Sequence, residues 1–282
     1  MLVREAVETF ERGLIGQGAS ANTVTTYMRH LEVFMRSFEG KAVNEITATD
    51  INEFLFQVRL KADGSEKAPR TMNSLKTALK AFFKSLPLTE NPTKQLKIKR
   101  VRIERDYLTE DEVRELLAGV DNVRDHTIVA VLCFLGLRRE ELGGLMVADV
   151  KAPSLRILGK GGVERDIPIN KAVRCYIDQF LKWKREHNES LEGDAPLFVS
   201  RKHHRLSGTQ LYNVVRKWTL QVLGKQLYPH AMRHSFASAL VAKNVNIATI
   251  QRLMGHSSIA MTEVYLHISN ELKQQAVEAL GV

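Results

Sequence analysis

Leu155-Arg-Ile-Leu-Gly-Lys-Gly-Gly-Val-Glu-Arg-Asp-Ile-Pro-Ile169 reads as two short strands, 155–158 and 165–169, flanking Gly159-Lys160-Gly161-Gly162. The glycines supply the positive φ that a tight connection needs, so the stretch is a β-hairpin. Around it the apolar spacing becomes helical, at about 171–185, 207–223, 231–243 and 247–254, with a buried helix at 127–137 before it. The expected fold is mainly α with a small β-sheet, the sheet lying in a mixed α+β second half.

The first half is helical throughout. Val24, Tyr27, Met28, Leu31, Phe34, Met35 and Phe38 recur at helical spacing behind Ser20 and Thr23, which can cap. Thr47 and Asp50 form a capping-box start for a helix carrying Ile51, Phe54, Leu55 and Val58. From 71 to 86, Leu75, Leu79, Phe82 and Leu86 make an apolar face beside a basic stripe of Lys76, Lys80 and Lys84. Pro87, Asn91-Pro92 and the run Lys94-Gln-Leu-Lys-Ile-Lys-Arg-Val-Arg-Ile-Glu-Arg105 then break the pattern, and Thr109 with Glu112 opens a new helix. The expected organisation is an N-terminal helical domain at 1–90, a basic linker at 91–106 and a second domain at 107–282, which a chain of 282 residues accommodates.

Charge narrows the function. The chain carries 41 Lys and Arg against 32 Asp and Glu, a net +9. Twelve of those cations and only four acids lie between Lys61 and Arg105, so nearly all of the excess is local. A basic stripe that displaces counterions from phosphates suits a nucleic acid, and Lys76, Lys80, Lys84, Lys97, Lys99 and Arg100 are its candidate contacts. No run approaches the roughly 20 apolar residues of a membrane span. The N-terminus, with Arg4, Glu5, Glu8 and Glu11, has no apolar signal region. A cytoplasmic, DNA-associated protein is expected. Cys133 and Cys175 both fall in apolar helical patterns and read as buried thiols of a reducing compartment.

Nucleotide hydrolysis is not indicated, because Gly159-Lys160-Gly161 lacks the spacing and following helix of a phosphate loop. His230 and His234 are spaced like a zinc helix, but Ala231 stands where that motif places its glutamate, so neither metal nor cofactor is expected. Five elements remain: Gly136-Leu-Arg138 with Glu141-Leu142, the Lys160 hairpin, His230-x-x-Arg233, Gly255-His256, and Tyr265. Singly, each has an ordinary structural reading as a helix-end charge, a solvated turn, a satisfied polar pair or a core-edge aromatic.

Together and in this order they resemble the catalytic set of the tyrosine recombinase (phage integrase) family, with Gly-Leu-Arg-x-x-Glu-Leu, the Lys hairpin, His-x-x-Arg and Leu-Met-Gly-His-Ser-Ser-x6-Tyr-x-His267 all present. Val163 stands where a basic residue is common, and Ala260-Met261 where small hydroxyl residues are common. The resemblance covers both halves of the chain. It implies an N-terminal SAM-like core-binding domain that clamps DNA, and a catalytic domain that breaks and rejoins a phosphodiester through a 3′-phosphotyrosyl link at Tyr265, exchanging strands via a Holliday junction. It further implies that Arg138 and Arg233 grip the non-bridging oxygens, that Lys160 protonates the leaving 5′-oxygen, that His230 takes the phenolic proton, and that His256 bonds to the phosphate. Glu141 orients the Arg138 segment. The chemistry explains these types: a phenol with a pKa of about 10 needs a base and a positive field, guanidinium is a permanent planar charge, and an ammonium can give up a proton where guanidinium cannot.

At this length the chain looks more like the simple Xer type or a compact mobile-element recombinase than like the larger phage integrases, and the resemblance implies action on double-stranded DNA with paired inverted arms. Leu272, Ala276, Val277 and Leu280 lie at helical spacing on a short tail. In the family such a tail packs on a neighbouring protomer, which implies a monomer in solution and a tetramer on paired sites. A second recombinase or accessory protein remains open as a partner. Type IB topoisomerases share the nucleophile and clamp, so relaxation is expected as a side activity. The alternative from another class is an architectural DNA-binding factor that kept the fold and lost catalysis.

Overall fold

The computed structural model describes residues 1–98, 107–159, 162–256, 262 and 265. It divides into two compact units, Met1–Ile103 and Glu104–Val282.

The first unit is built on α1 (Val3–Gly16), α2 (Ala21–Ser37), α3 (Ala48–Gln57) and α4 (Pro69–Ser85). Each start has a local cause. Ser20 Oγ accepts from Thr23 N at 3.2 Å to cap α2. Thr47 and Asp50 exchange bonds of 3.2 and 2.8 Å at the start of α3, and Pro69 opens α4 at a position where its missing N–H costs no helix bond. The apolar faces meet in an aromatic core. Phe34 packs edge-on against Phe54 and Phe83, with ring centroids 5.3 and 5.8 Å apart, and Leu31, Leu75, Leu79 and Phe82 close around them. Burying each such side chain contributes about 1.5–3 kcal/mol.

The second unit begins with α5 (Glu110–Gly119), opened by the Thr109–Glu112 capping box, and α6 (Val123–Leu135), buried on nearly every side. Gly136 ends α6 in the left-handed region at φ +60°. A Cβ there would lie 2.3 Å from the Phe236 ring, so both backbone and packing require glycine. Next come α7 (Arg139–Gly144) and an antiparallel hairpin of β1 (Ser154–Leu158) and β2 (Glu164–Pro168), in which Leu155 faces Ile167 and Ile157 faces Arg165. The hairpin is the only sheet among the described residues. It is followed by α8 (Lys171–Glu186), α9 (Gly208–Leu223), α10 (Pro229–Ala242) and α11 (Ile247–Met254). Leu155, Ile157 and Ile167 turn into a core shared with α5, α6, α8 and α9.

One expectation is corrected. Cys133 is buried, and burial pushes its thiol up to about 12, but Cys175 is exposed. On α8 the buried residues are Val173, Ile177 and Phe180; at 100° per residue, position 175 lies some 200° from both 173 and 177, on the opposite side. Lys160, Lys99, Arg100 and the 271–282 tail lie outside the described residues. Among those that are described, no helix is long and apolar enough to cross a membrane.

Candidate active site

Three guanidinium groups from three separate elements converge on one carboxylate. Arg138 is the N-cap of α7, and its backbone N–H donates to Glu141 Oε2 at 2.8 Å, the reciprocal bond of a helix start. The side chains then meet again, Arg138 Nη1 donating to Glu141 Oε1 at 2.8 Å, while Nη2 donates to the carbonyl of Gly255 at 2.7 Å. Arg165 reaches the same carboxylate from β2 as a fork, at 2.9 Å to each oxygen. Arg233, buried on α10, lies 4.0 Å from Glu141 Oε2 and donates to the carbonyls of Gly136 at 2.6 Å and Met254 at 2.5 Å.

Burial of Glu141, whose side chain is 4% exposed, would by itself raise its pKa. The bonds from Arg165 and from the Arg138 backbone outweigh that and hold it at about 2. Burial, then the charge of Arg138, brings Arg233 down to about 10, against the pull of Glu141. Glu141 and Arg233 are therefore charged at neutral pH, and with the permanently charged guanidinium groups of Arg138 and Arg165 the site gathers three cations around one anion. Such a cluster draws a further anion, and paired guanidinium forks match the oxygens of a phosphodiester.

Helix ends aim these groups. Gly136 and Gly255 end α6 and α11 in left-handed conformations, and the carbonyls released there take the guanidinium protons: Gly136 and Met254 from Arg233, Gly255 from Arg138. His256 follows directly, its Nδ1 2.8 Å from Thr262 Oγ1. The carbonyl of Thr262 accepts from the N–H of Tyr265 at 3.0 Å. Tyr265 is 3% exposed and packs with Phe236, Ala237, Val241, Ile250 and Met254.

Of the residues singled out in the sequence, Arg138, Glu141, Arg233, His256 and Tyr265 lie in this one region of the second unit. The histidine on the phenol is not the expected one. The Tyr265 hydroxyl is hydrogen-bonded to Nδ1 of His234, whereas His230 lies exposed one turn earlier, in the first turn of α10. Sequence spacing alone could have included His234, because positions i and i+4 share a helix face. Sequence reasoning also passes over Arg165. Its signal is strand alternation, since it shares a face with Ile167 and pairs with buried Ile157. In the first unit, Lys76 and Lys80 donate to the carbonyls of Lys97 and Leu96 at 3.3 and 2.9 Å, pinning the 96–97 segment to α4, whereas Lys84 is exposed.

Residues 106–271 match the Phage integrase family, and residues 7–92 match the phage integrase N-terminal SAM-like domain. A tyrosine recombinase XerA of Pyrococcus horikoshii is 32% identical over 280 residues, covering 97% of this chain and 93% of that protein. A tyrosine recombinase of Thermosipho africanus is 30% identical, covering 93% of this chain and 94% of its own. Among solved structures, XerA recombinase aligns at 25% identity and a TM-score of 0.55, over 96% of this chain and 98% of that one. The fold also matches a lambda integrase dimer bound to a COC′ core site, with a TM-score of 0.74 at 18% identity over 94% of this chain and 77% of that one.

Proposed function

The chain belongs to the phage integrase family of tyrosine recombinases, and from that membership we propose that this site-specific recombinase cuts DNA with Tyr265 and holds the scissile phosphate with Arg138 and Arg233. The observation that carries the assignment is the convergence of Arg138, Arg165 and Arg233 on the single carboxylate of Glu141, beside the buried phenol of Tyr265.

In the proposed step, Tyr265 Oη bonds to phosphorus, the bond to the 5′-oxygen breaks, and the phenolic proton passes to a neighbouring base. Lys160 returns a proton to the 5′-oxygen. Negative charge gathers on the non-bridging oxygens in the transition state, where preorganised guanidinium donors act more strongly than they would in water. The bond energy is kept in the 3′-phosphotyrosine, so a 5′-hydroxyl from another duplex can reverse the reaction and build a Holliday junction. In this reading Tyr265, 3% exposed and packed with Phe236 and Met254, moves outward when DNA is engaged. His256 bonds to the phosphate in the same reading.

The 1–90 helices and the basic linker serve as the DNA clamp, with Lys76, Lys80, Lys84, Lys97, Lys99 and Arg100 as phosphate contacts. Two arms of an inverted site bind two protomers, and paired sites assemble a cytoplasmic tetramer through the C-terminal tail. The test is to select a binding site from random duplex DNA and offer it with a nick that traps the covalent product. An adduct that survives denaturation and maps by peptide mass to Tyr265 supports the assignment. Specific binding without any adduct favours the architectural factor instead.

A further inference from the structure

Arg165 is the residue on which the arginine cluster turns. Its fork takes both oxygens of Glu141 at 2.9 Å, and its Nε donates to the carbonyl of Leu253 at 3.3 Å, so one planar group joins β2, α7 and the end of α11. Two glycines pack on it. A Cβ at Gly255, the residue before His256, would lie 2.9 Å from Arg165 Cζ. At Gly159 a Cβ would lie 3.5 Å from Arg165 Nη1 and 3.9 Å from Glu141 Oε1. The turn that carries His256, the end of β1 and the carboxylate that holds Arg138 therefore all lie against the same guanidinium.

We propose that Arg165 is a positioning residue for cleavage: through Glu141 it sets the direction of the Arg138 fork, and through Leu253 and Gly255 it sets the turn bearing His256. The inference rests on the recombinase reading. Arg165 does not touch the phosphate; it acts through Arg138. Charge alone cannot perform this task. An ammonium in its place keeps the charge but can satisfy the carboxylate only from a point, and it leaves the space against Gly255 unfilled, so Glu141 and Arg138 rotate.

Arg165→Lys separates this role from that of an ion pair which merely stabilises the fold. Adduct formation is measured on the nicked site with a natural scissile phosphate, and again with a methylphosphonate, which carries no negative charge at that phosphorus. Arg138→Ala is run beside it as the reference. The expectation is that R165K binds the site within about twofold of the parent and cleaves the natural phosphate about 10–100-fold more slowly, the scale of a misplaced catalytic group. On the methylphosphonate, where an aimed cation matters less, the deficits of both variants should shrink together to less than about threefold. A deficit equal on the two substrates, or no deficit on either, overturns the proposal. If R165K does not fold, Glu141→Gln breaks the same link from the other side and is judged by the same two outcomes. A parent that forms no adduct overturns the recombinase reading and this inference with it, whereas a parent that cleaves normally beside an unimpaired R165K overturns the inference alone.

Discussion

The phenolic hydroxyl of Tyr265 is hydrogen-bonded to Nδ1 of His234, the residue that follows Arg233 on α10. One short stretch of helix therefore holds the proposed nucleophile with one side chain and part of the phosphate grip with the next. The rings lie 5.6 Å apart at 49°, and Arg233 is itself tied to the ends of α6 and α11. Any outward movement of the Tyr265 hydroxyl must give up the His234 bond.

Tyr265→Phe removes one oxygen and almost no volume from that packing. It should bind the selected site with near-normal affinity and give no covalent product. Loss of the bond to His234 should lower stability by about 0.5–1.5 kcal/mol, read from urea unfolding. An adduct in the Phe protein would move the nucleophile elsewhere, and Tyr228, stacked on Tyr212 at 4.6 Å, is the next residue to test.

The two arginines proposed to hold the phosphate should fail differently. Either Arg138→Ala or Arg233→Ala should slow cleavage by at least about 10²-fold, the scale for losing one preorganised donor. Only Arg233→Ala removes two donors from carbonyls at helix ends and does so from within the core. It should therefore also lower the melting temperature clearly, while Arg138→Ala, whose parent side chain is 26% exposed, costs less. Equal thermal losses would contradict this division.

Glu141 gives stability a particular pH dependence. Its folded pKa of about 2 lies below the ordinary carboxylate value of 4.5, so its contribution is full above about pH 5 and is lost as pH falls towards 2. The shift corresponds to about 3 kcal/mol. Asp50, held at about 2 by bonds from Thr47, titrates in the same range in the first unit, so the informative quantity is the difference between parent and Glu141→Gln. Denaturant midpoints measured from pH 7 to 3 should converge as the pH drops. Parallel curves would mean that Glu141 is not the carboxylate responsible.

Among the lysines of α4, Lys84→Gln should reduce the salt-dependence slope of DNA binding by about 0.9 and leave the backbone undisturbed. Lys76→Gln and Lys80→Gln should each reduce it similarly, since an ammonium with one proton on a carbonyl still has two to offer. Unlike Lys84→Gln, they should also release the 94–98 segment, which limited trypsin digestion at Lys94 and Lys97 would detect. A slope unchanged in all three would put the stripe in solvent.

The helix starts, the hairpin and the ordered motif set are written in the amino-acid sequence itself. Ser20, Thr47, Thr109 and the hairpin glycines act on backbone within a few residues of themselves, and helical or strand alternation records which side of an element faces the core. Arg138, Arg233, His256 and Tyr265 are likewise readable as an ordered set. Which side chain meets which across the fold is not written there. Arg165 finds Glu141 24 residues away and His234 finds Tyr265 31 residues away, and both pairings depend on how α7, β2, α10 and α11 pack. Periodicity exposes neither pairing, because it reports which side of an element is buried and not which partner lies opposite. Pairing between distant polar groups is decided by distances of a few ångströms that exist only once the core has closed, and the same packing puts His234 rather than His230 on the phenol.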